Sequence, residues 1–568
     1  MNKTIPIHER TNKNVSGFIE MIVVLFSAVI SILPVIAQEP LPDLSSASTP
    51  SKLEKIEVDV KSVKFGSNVN SQMILEFAQQ LAGQRPIRAK VRGDGCDAYS
   101  YSVADDGGID VESGTARGVL YAVYDVLDGN TQGVHTPVFS IRGLFECGVQ
   151  QRYWTSEMVR RFIDRMGRWR MNTLPVITAH GYKEYADIIE EECAKRGIDI
   201  IHYTYYQFAF CDSIPRKYFA VDANGNPKPR YEHLETNDRL CASNPEGLNL
   251  FRLGVRKYIK EHPNREKLLF ATPDGHDLCQ CNECSKLGPV GQTMPFFEIF
   301  MQETAGGGFQ RQWLTYYQRY KLPEDISLIR NTEAIMYDTH IRNPFFPLHD
   351  PEMKSGRASD QEEVDTRAKG STRNRYLFDR LKEWREAYNG NIYIHENLMV
   401  HASLGVPRFN TPVYIEDLKQ YRKLGIEGVV YEAYESGIRP FLPQLSTLAR
   451  AMWELDANYE SLDDANPELD EFYQLVNDWK NTRDWKSVRN LMRYLLKRPD
   501  RDEFDWLWIG FRTMQVAYSK NKLPQLSIDE RELLESIKLW DYMEGQPNAR
   551  EEVGRLIISI TAKLMEMP

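Results

Sequence analysis

Thr272-Pro-Asp-Gly-His-Asp-Leu-Cys-Gln-Cys-Asn-Glu-Cys284 brings two carboxylates (Asp274, Asp277), a histidine (His276) and three cysteines into one short stretch. It follows an apolar run, Lys267-Leu-Leu-Phe-Ala271, that reads as a buried strand. Carboxylates and an imidazole at the C-terminal end of a strand, on a loop pinned by cysteines, can do acid/base chemistry of the kind a barrel enzyme performs. Cys241 precedes the helix start Ala-Ser-Asn-Pro-Glu-Gly and can join Cys279, Cys281 and Cys284. Four such cysteines make either a tetrahedral zinc site or two disulfides, with a structural role in both cases.

Further titratable groups recur at the ends of later apolar runs. Numbering the runs as strands, strand two ends at His180, and strand five offers Tyr337, Asp338 and His340. Strand six offers His395, Glu396 and Asn397, and strand seven offers Glu432 and Glu435. Taken one at a time, each is an ordinary loop or strand-end residue. Their coincidence at successive strand ends points to a ring around one mouth. Asp274 and Glu432 rank first as catalytic groups, with Glu396 third. Glu432 closes the apolar Val429-Val-Tyr431, where desolvation favours a neutral acid able to donate a proton. Asp277, His276, His180, His340, Tyr337, Tyr431 and Trp453 are the expected substrate contacts, the aromatics by stacking.

The elements that must hold these groups form an alternation. After a Pro/Ser-rich linker over 38–52, strands at 56–60, 87–91, 99–103 and 107–113 with helices at 71–84 and 115–127 make a small α/β domain, assigned to 53–137. From 138 to 460, strand and helix patterns alternate through seven steps, the order expected of a (β/α)8 barrel. The fifth strand falls at 326–330 or 333–337. A doubly wound open sheet would instead bring a glycine-rich first turn, which is absent. Residues 461–568 read as a helical C-terminal region.

Composition narrows the function. Net charge is −10, without a basic stripe, which disfavours nucleic acid and anionic membranes as partners. No phosphate-cradling glycine loop occurs, and no cofactor is expected. The uncharged stretch from Met21 to Ala37, preceded by Lys3, Arg10 and Lys13, reads as a signal peptide over 1–37, giving a secreted or periplasmic protein with no membrane contact beyond export.

Three segments resemble bacterial exported glycoside hydrolases. Ser113-Gly-Thr-Ala-Arg-Gly-Val-Leu-Tyr-Ala-Val-Tyr-Asp-Val-Leu127 is similar to the helix of the small domain preceding the barrel in β-hexosaminidases and α-glucuronidases. Ile141-Arg-Gly with Phe162-Ile-Asp-Arg-Met-Gly-Arg-Trp-Arg-Met-Asn-Thr-Leu174 resembles their barrel entry. Pro273-Asp followed by Cys-x-Cys-x-x-Cys resembles a family listed as domain of unknown function 4838, related to glycoside hydrolase family 163. The resemblance covers about residues 55–460 and implies an exported hydrolase of N-acetylhexosamine-containing glycans, by a substrate-assisted retaining route. The chain departs from the hexosaminidases in having Asp274-Gly-His-Asp277 where they carry an Asp-Glu pair. Two alternatives follow: an inverting α-glucuronidase-like enzyme, with Arg342 and Arg439 as candidates to cradle a uronate, or a catalytically silent glycan-binding barrel.

Overall fold

The computed structural model describes residues 71–145, 155–177, 182–205, 209–211, 214–226, 239–272, 278–316, 319–339, 342, 346–349, 372–398, 411–432, 442–457, 459 and 485–497, with scattered residues over 471–478 and at 559 and 562. The candidate signal peptide, the strand expected at 56–60 and most of the helical C-terminal region lie outside them. Among the described residues, no helix is long and apolar enough to cross a membrane.

The first unit is a sheet with two helices on one face. Strands β1 (Ile87–Val91), β2 (Tyr99–Val103), β3 (Ile109–Ser113) and β4 (Gln132–His135) run in the order β1-β3-β2-β4, with β1 parallel to β3 and the other pairs antiparallel. Alternation in β1 buries Ile87, Ala89 and Val91 and exposes Arg88 and Lys90, the pattern of a sheet covered on one side. Helices α1 (Ser71–Ala82) and α2 (Ala116–Leu127) supply the cover. Thr115 caps α2 by accepting a hydrogen bond from the Gly118 amide. Sequence reading missed β4, whose Gln132-Gly-Val-His135 contributes no fully buried side chain.

The second unit is a closed barrel of eight parallel strands: β5 (Ile141–Phe145), β6 (Thr173–Ile177), β7 (Asp199–Tyr205), β8 (Lys267–Ala271), β9 (Gln310–Thr315), β10 (Ala334–Asp338), β11 (Asn391–Asn397) and β12 (Gly428–Glu432). Helices α3 (Ser156–Arg168), α4 (Tyr182–Arg196), α5 (Pro245–Glu261), α6 (Met294–Glu303), α7 (Thr372–Ala387), α8 (Thr411–Lys423) and α9 (Leu442–Ala451) follow strands in turn. A further helix, α10 (Trp485–Lys497), lies in the C-terminal region. The ring closes where β12 meets β5. There a Cβ on Gly428 would stand 1.7 Å from the Ile141 carbonyl oxygen, so this contact requires glycine.

One strand assignment is corrected. The fifth barrel strand is β9 at 310–315, while 334–338 is the sixth, and 326–330 is irregular chain entering a 3-10 turn at Ile329–Asn331. β9 was overlooked because Gln310-Arg-Gln-Trp-Leu-Thr315 looks polar. Its Gln312 points into the barrel yet is satisfied, since Oε1 accepts the Tyr393 hydroxyl at 2.6 Å. The later strands therefore shift by one place, and Glu432 closes the eighth.

Alternate residues of each strand face two different cores. Phe145, Ile201, Tyr203, Leu269, Leu314, Met336, Tyr393 and Val430 fill the lumen. Leu144, Phe270, Trp313, Ile335, Tyr337, Ile394, Val429 and Tyr431 pack outward against the helices. The lumen is thus a packed core rather than a pore.

The small unit is bonded to the starts of two barrel strands. Asp97 takes bonds from Thr115 Oγ1 and Arg117 Nε in its own unit, and from Arg142 Nη2 at 2.6 Å and Asn172 Nδ2 at 3.1 Å at the starts of β5 and β6. Two guanidinium groups hold this buried carboxyl well below the usual carboxylate range, outweighing the opposing effect of burial. Trp453 belongs to the same junction. Arg142 stacks on its ring at 4.6 Å, and Tyr99 and Tyr121 meet it edge-on.

Candidate functional site

Three lumen positions at the C-terminal ends of adjacent strands carry charge: Asp338 on β10, His395 on β11 and Glu432 on β12. Strand pairing sets Asp338 level with His395, and Glu432 two residues beyond Val430, the residue paired with His395. His395 sits between the two carboxylates. Its Nδ1 is 2.5 Å from Asp338 Oδ2 and its Nε2 is 3.6 Å from Glu432 Oε2. Both are close contacts of the imidazole with a carboxylate, the second too long for a hydrogen bond. All three side chains are buried.

Burial alone would lower the basicity of this imidazole. The charges of Asp338 and then Glu432 outweigh it and raise the histidine above its ordinary value of 6.5. The two carboxylates thus favour the protonated form of this imidazole. Aromatic rings close the space around it. Phe145 meets it edge-on at 4.8 Å, Tyr203 stacks on Phe145 at 5.4 Å, and Tyr205 packs on Tyr203 at 4.9 Å. Tyr205 and Tyr316 retain slight exposure at the upper edge of the lumen.

Glu396 does not join this group. It is adjacent to His395 in sequence and so points out of the barrel into the helix layer. Its Oε1 accepts from Arg342 Nη1 at 2.9 Å and from Thr339 Oγ1 at 2.9 Å, and its Oε2 from the Tyr421 hydroxyl at 3.1 Å. Arg342 also reaches Asp417 of α8 at 2.5 Å, and the Leu348 amide completes that carboxylate at 2.8 Å. Burial raises both Glu396 and Asp417 although Arg342 opposes it, because one guanidinium serves two carboxylates. Arg342 in turn is held well above its ordinary value by those same carboxylates, against the effect of burial. It is committed to this network and does not face the lumen, so it cannot cradle a uronate there.

The expected aromatic contacts also fall elsewhere. Tyr337 and Tyr431 face the helices, and the Tyr337 hydroxyl donates to the Leu377 carbonyl at 2.7 Å. Trp453 lies at the opposite end of the barrel from Glu432. Asp274, His276, Asp277, His180, His340 and Arg439 lie outside the described residues. The strand leading to Asp274 is nevertheless defined. β8 is four places from β12 in the ring of eight, so the two strand ends face each other across the mouth.

Asp338 and His395 were visible as strand-end residues but ranked below Glu396. Tyr205 and Tyr316 carried no signal. Parallel strands buried on both faces show no alternation from which to read the phase of a side chain.

With this geometry in place, comparison with solved structures adds a likeness. The chain is similar in fold to glycoside hydrolases. A GH138 enzyme targeting pectin rhamnogalacturonan II matches with a TM-score of 0.47 and 13% identity, over 87% of this chain and 71% of that one. A β-N-acetylhexosaminidase from Bacteroides fragilis matches at 0.46 and 14%, over 72% and 90%. A Streptomyces plicatus β-hexosaminidase in complex with its product GlcNAc matches at 0.44 and 12%, over 73% and 89%. No protein-family model and no curated protein matches the chain. At these identities the likeness concerns fold.

Proposed function

We propose that the chain is an exported glycoside hydrolase acting on N-acetylhexosamine-containing glycans, with Glu432 as its proton donor and Asp274 as the second group. The observation that carries this reading is the buried Asp338–His395–Glu432 row at the C-terminal mouth of the barrel. Barrel enzymes do their chemistry at that end. Glycosidic cleavage needs one carboxylic acid to protonate the leaving oxygen, and a second group to take the nucleophile's part or to orient a participating acetamide. Glu432 stands in a largely apolar lumen 3.6 Å from His395, so the pair shares a coupled proton equilibrium from which Glu432 can donate. Once the proton has gone, a protonated His395 beside it stabilises the carboxylate that is left. Asp338 holds that cation from the far side. Asp274 follows in sequence the strand opposite β12, and is the candidate for the second group. His395 is a positioning residue in this scheme, and Tyr205 and Tyr316 offer faces for the apolar side of a pyranose.

The N-acetylhexosamine assignment rests on the Pro-Asp and cysteine-loop motif. Aryl β-N-acetylglucosaminides, aryl α-glucuronides and N-glycans with a chitobiose core separate the readings. Release from the first or third supports the proposal. Release from the glucuronide alone transfers the site to uronate chemistry, and release from none, with sugar binding retained, makes the barrel a binding module.

A further inference from the structure

The loop after β8 ends in a cluster of sulfur atoms. The Sγ atoms of Cys241, Cys279, Cys281 and Cys284 all lie within 4.8 Å of one another. Cys241 Sγ is 3.8 Å from Cys281 Sγ and 3.7 Å from Cys284 Sγ. A disulfide bond would bring two sulfurs to about 2.05 Å. Four sulfurs around one zinc ion, each at about 2.3 Å with tetrahedral angles, stand about 3.75 Å apart. The observed separations match the second arrangement.

We propose that these four cysteines bind one structural zinc(II) ion, which ties the loop following β8 to the insertion between β7 and α5.

The surrounding backbone is built for such a site. Phe219 and Leu240 form an antiparallel bridge, and the Cys241 amide donates to the Tyr218 carbonyl at 3.0 Å, which fixes the first ligand. The Gln280 amide donates to the Val221 carbonyl at 2.9 Å and docks the second segment on the first. The Gln292 side chain then clamps the cysteine loop. Its Oε1 accepts the Cys279 amide at 3.0 Å, and its Nε2 donates to the carbonyls of Cys279 and Cys284. The Cys284 amide points at Cys281 Sγ at 3.5 Å, an N–H to sulfur contact that favours a metal-bound thiolate. Cys279 and Cys284 are buried and Cys241 and Cys281 half-buried. Four protein ligands leave no position for water or substrate, which marks the ion as structural rather than catalytic. Soft thiolates alone select zinc over magnesium or calcium. Residues 273–277, with Asp274, lie between the end of β8 and the first ligand of this loop, Cys279. The ion therefore anchors one end of the segment on which the proposed hydrolase reading depends, although the site stands without that reading.

The test uses the full chain, purified without chelator under mild reducing conditions. Elemental analysis should find about one zinc per chain. Thiol titration in denaturant should find all eight cysteines reduced. Cys281→Ser should lower bound zinc at least tenfold. Chelation should lower the melting temperature by several degrees, and added zinc should restore it. Should Cys281→Ser fail to fold, mercurial titration of the wild-type chain replaces it, and zinc release should track modification of four thiols. Zinc-free protein with fewer than eight titratable thiols would replace the site by disulfides. Eight thiols without zinc, iron or copper in its place, or zinc that survives Cys281→Ser, would each overturn the proposal.

Discussion

Strands β10–β12 and the segments next to them carry two clusters of buried charge, one on each face of the barrel wall. Each consists of two acidic side chains and one basic one. Outside, Glu396 and Asp417 share Arg342. Inside, Asp338 and Glu432 flank His395. The outer cation is a permanent guanidinium, and all four oxygens of its carboxylates accept hydrogen bonds. The inner basic group is a titratable imidazole, raised above its ordinary value by the carboxylates that stand 2.5 and 3.6 Å from its ring nitrogens. A permanent charge held between both carboxylates locks a helix to a strand. A titratable charge facing the lumen allows proton movement there. Two clusters of the same stoichiometry are thus separated by the kind of basic group they hold and by the face of the wall they occupy.

The comparison breaks first at the paired variants Glu432→Gln and Glu396→Gln. The lumen variant should lose on the order of a hundredfold or more in turnover without losing its fold, and less on substrates whose leaving group is acidic. The outer variant should keep its turnover and lose stability instead. Equal turnover for the two variants, each compared with the wild type, would erase the distinction.

Next in size is Arg342→Met. It leaves two carboxylates buried without their cation, and breaking a buried pair in this way costs about 3–5 kcal/mol. Denaturant titration should show that loss. A midpoint unchanged from the wild type would mean that Glu396 and Asp417 simply take up protons at no cost to the fold.

The inner cluster has its own signature in pH. The value of His395 is raised in the folded state above the ordinary 6.5. Its contribution to stability is therefore fully present below about pH 6.5 and lost as pH rises through its folded value. The stability difference between the wild type and His395→Gln should be largest in acid and shrink as the solution becomes alkaline. A difference independent of pH would mean that the imidazole is neutral throughout. Arg342→Met should show no comparable decline over that range, because a guanidinium does not titrate there.

The smallest effect sharpens the assignment of faces. Tyr337→Phe removes one hydroxyl that donates to the Leu377 carbonyl, and should cost about 1 kcal/mol with turnover and KM unchanged. A raised KM would bring Tyr337 back to the sugar.

Much of the fold was legible because apolar runs and capped helices are local features. Val429-Val-Tyr431 and Lys267-Leu-Leu-Phe-Ala271 announce buried strands whatever surrounds them. Thr115 and Asn244, whose side chains cap α2 and α5, announce helix starts. β9 escaped because Gln312 depends on a partner 81 positions away, Tyr393, to be tolerated inside the barrel. The site was legible as a set of strand ends but not as a set of roles. His395 and Glu396 are neighbours in sequence, both end an apolar run, and both are buried.

The sequence by itself determined the order of elements, the strand ends that carry titratable groups, and the cysteine spacing. Each of these follows from short-range patterning and connectivity. Only the tertiary structure decided which side of the wall each side chain takes. In a strand buried on both faces that phase is set by register with its neighbours, and a shift of one residue exchanges lumen for helix layer. That is why Glu432 lies beside His395 in the lumen, and Glu396 lies bound to arginine on the far side.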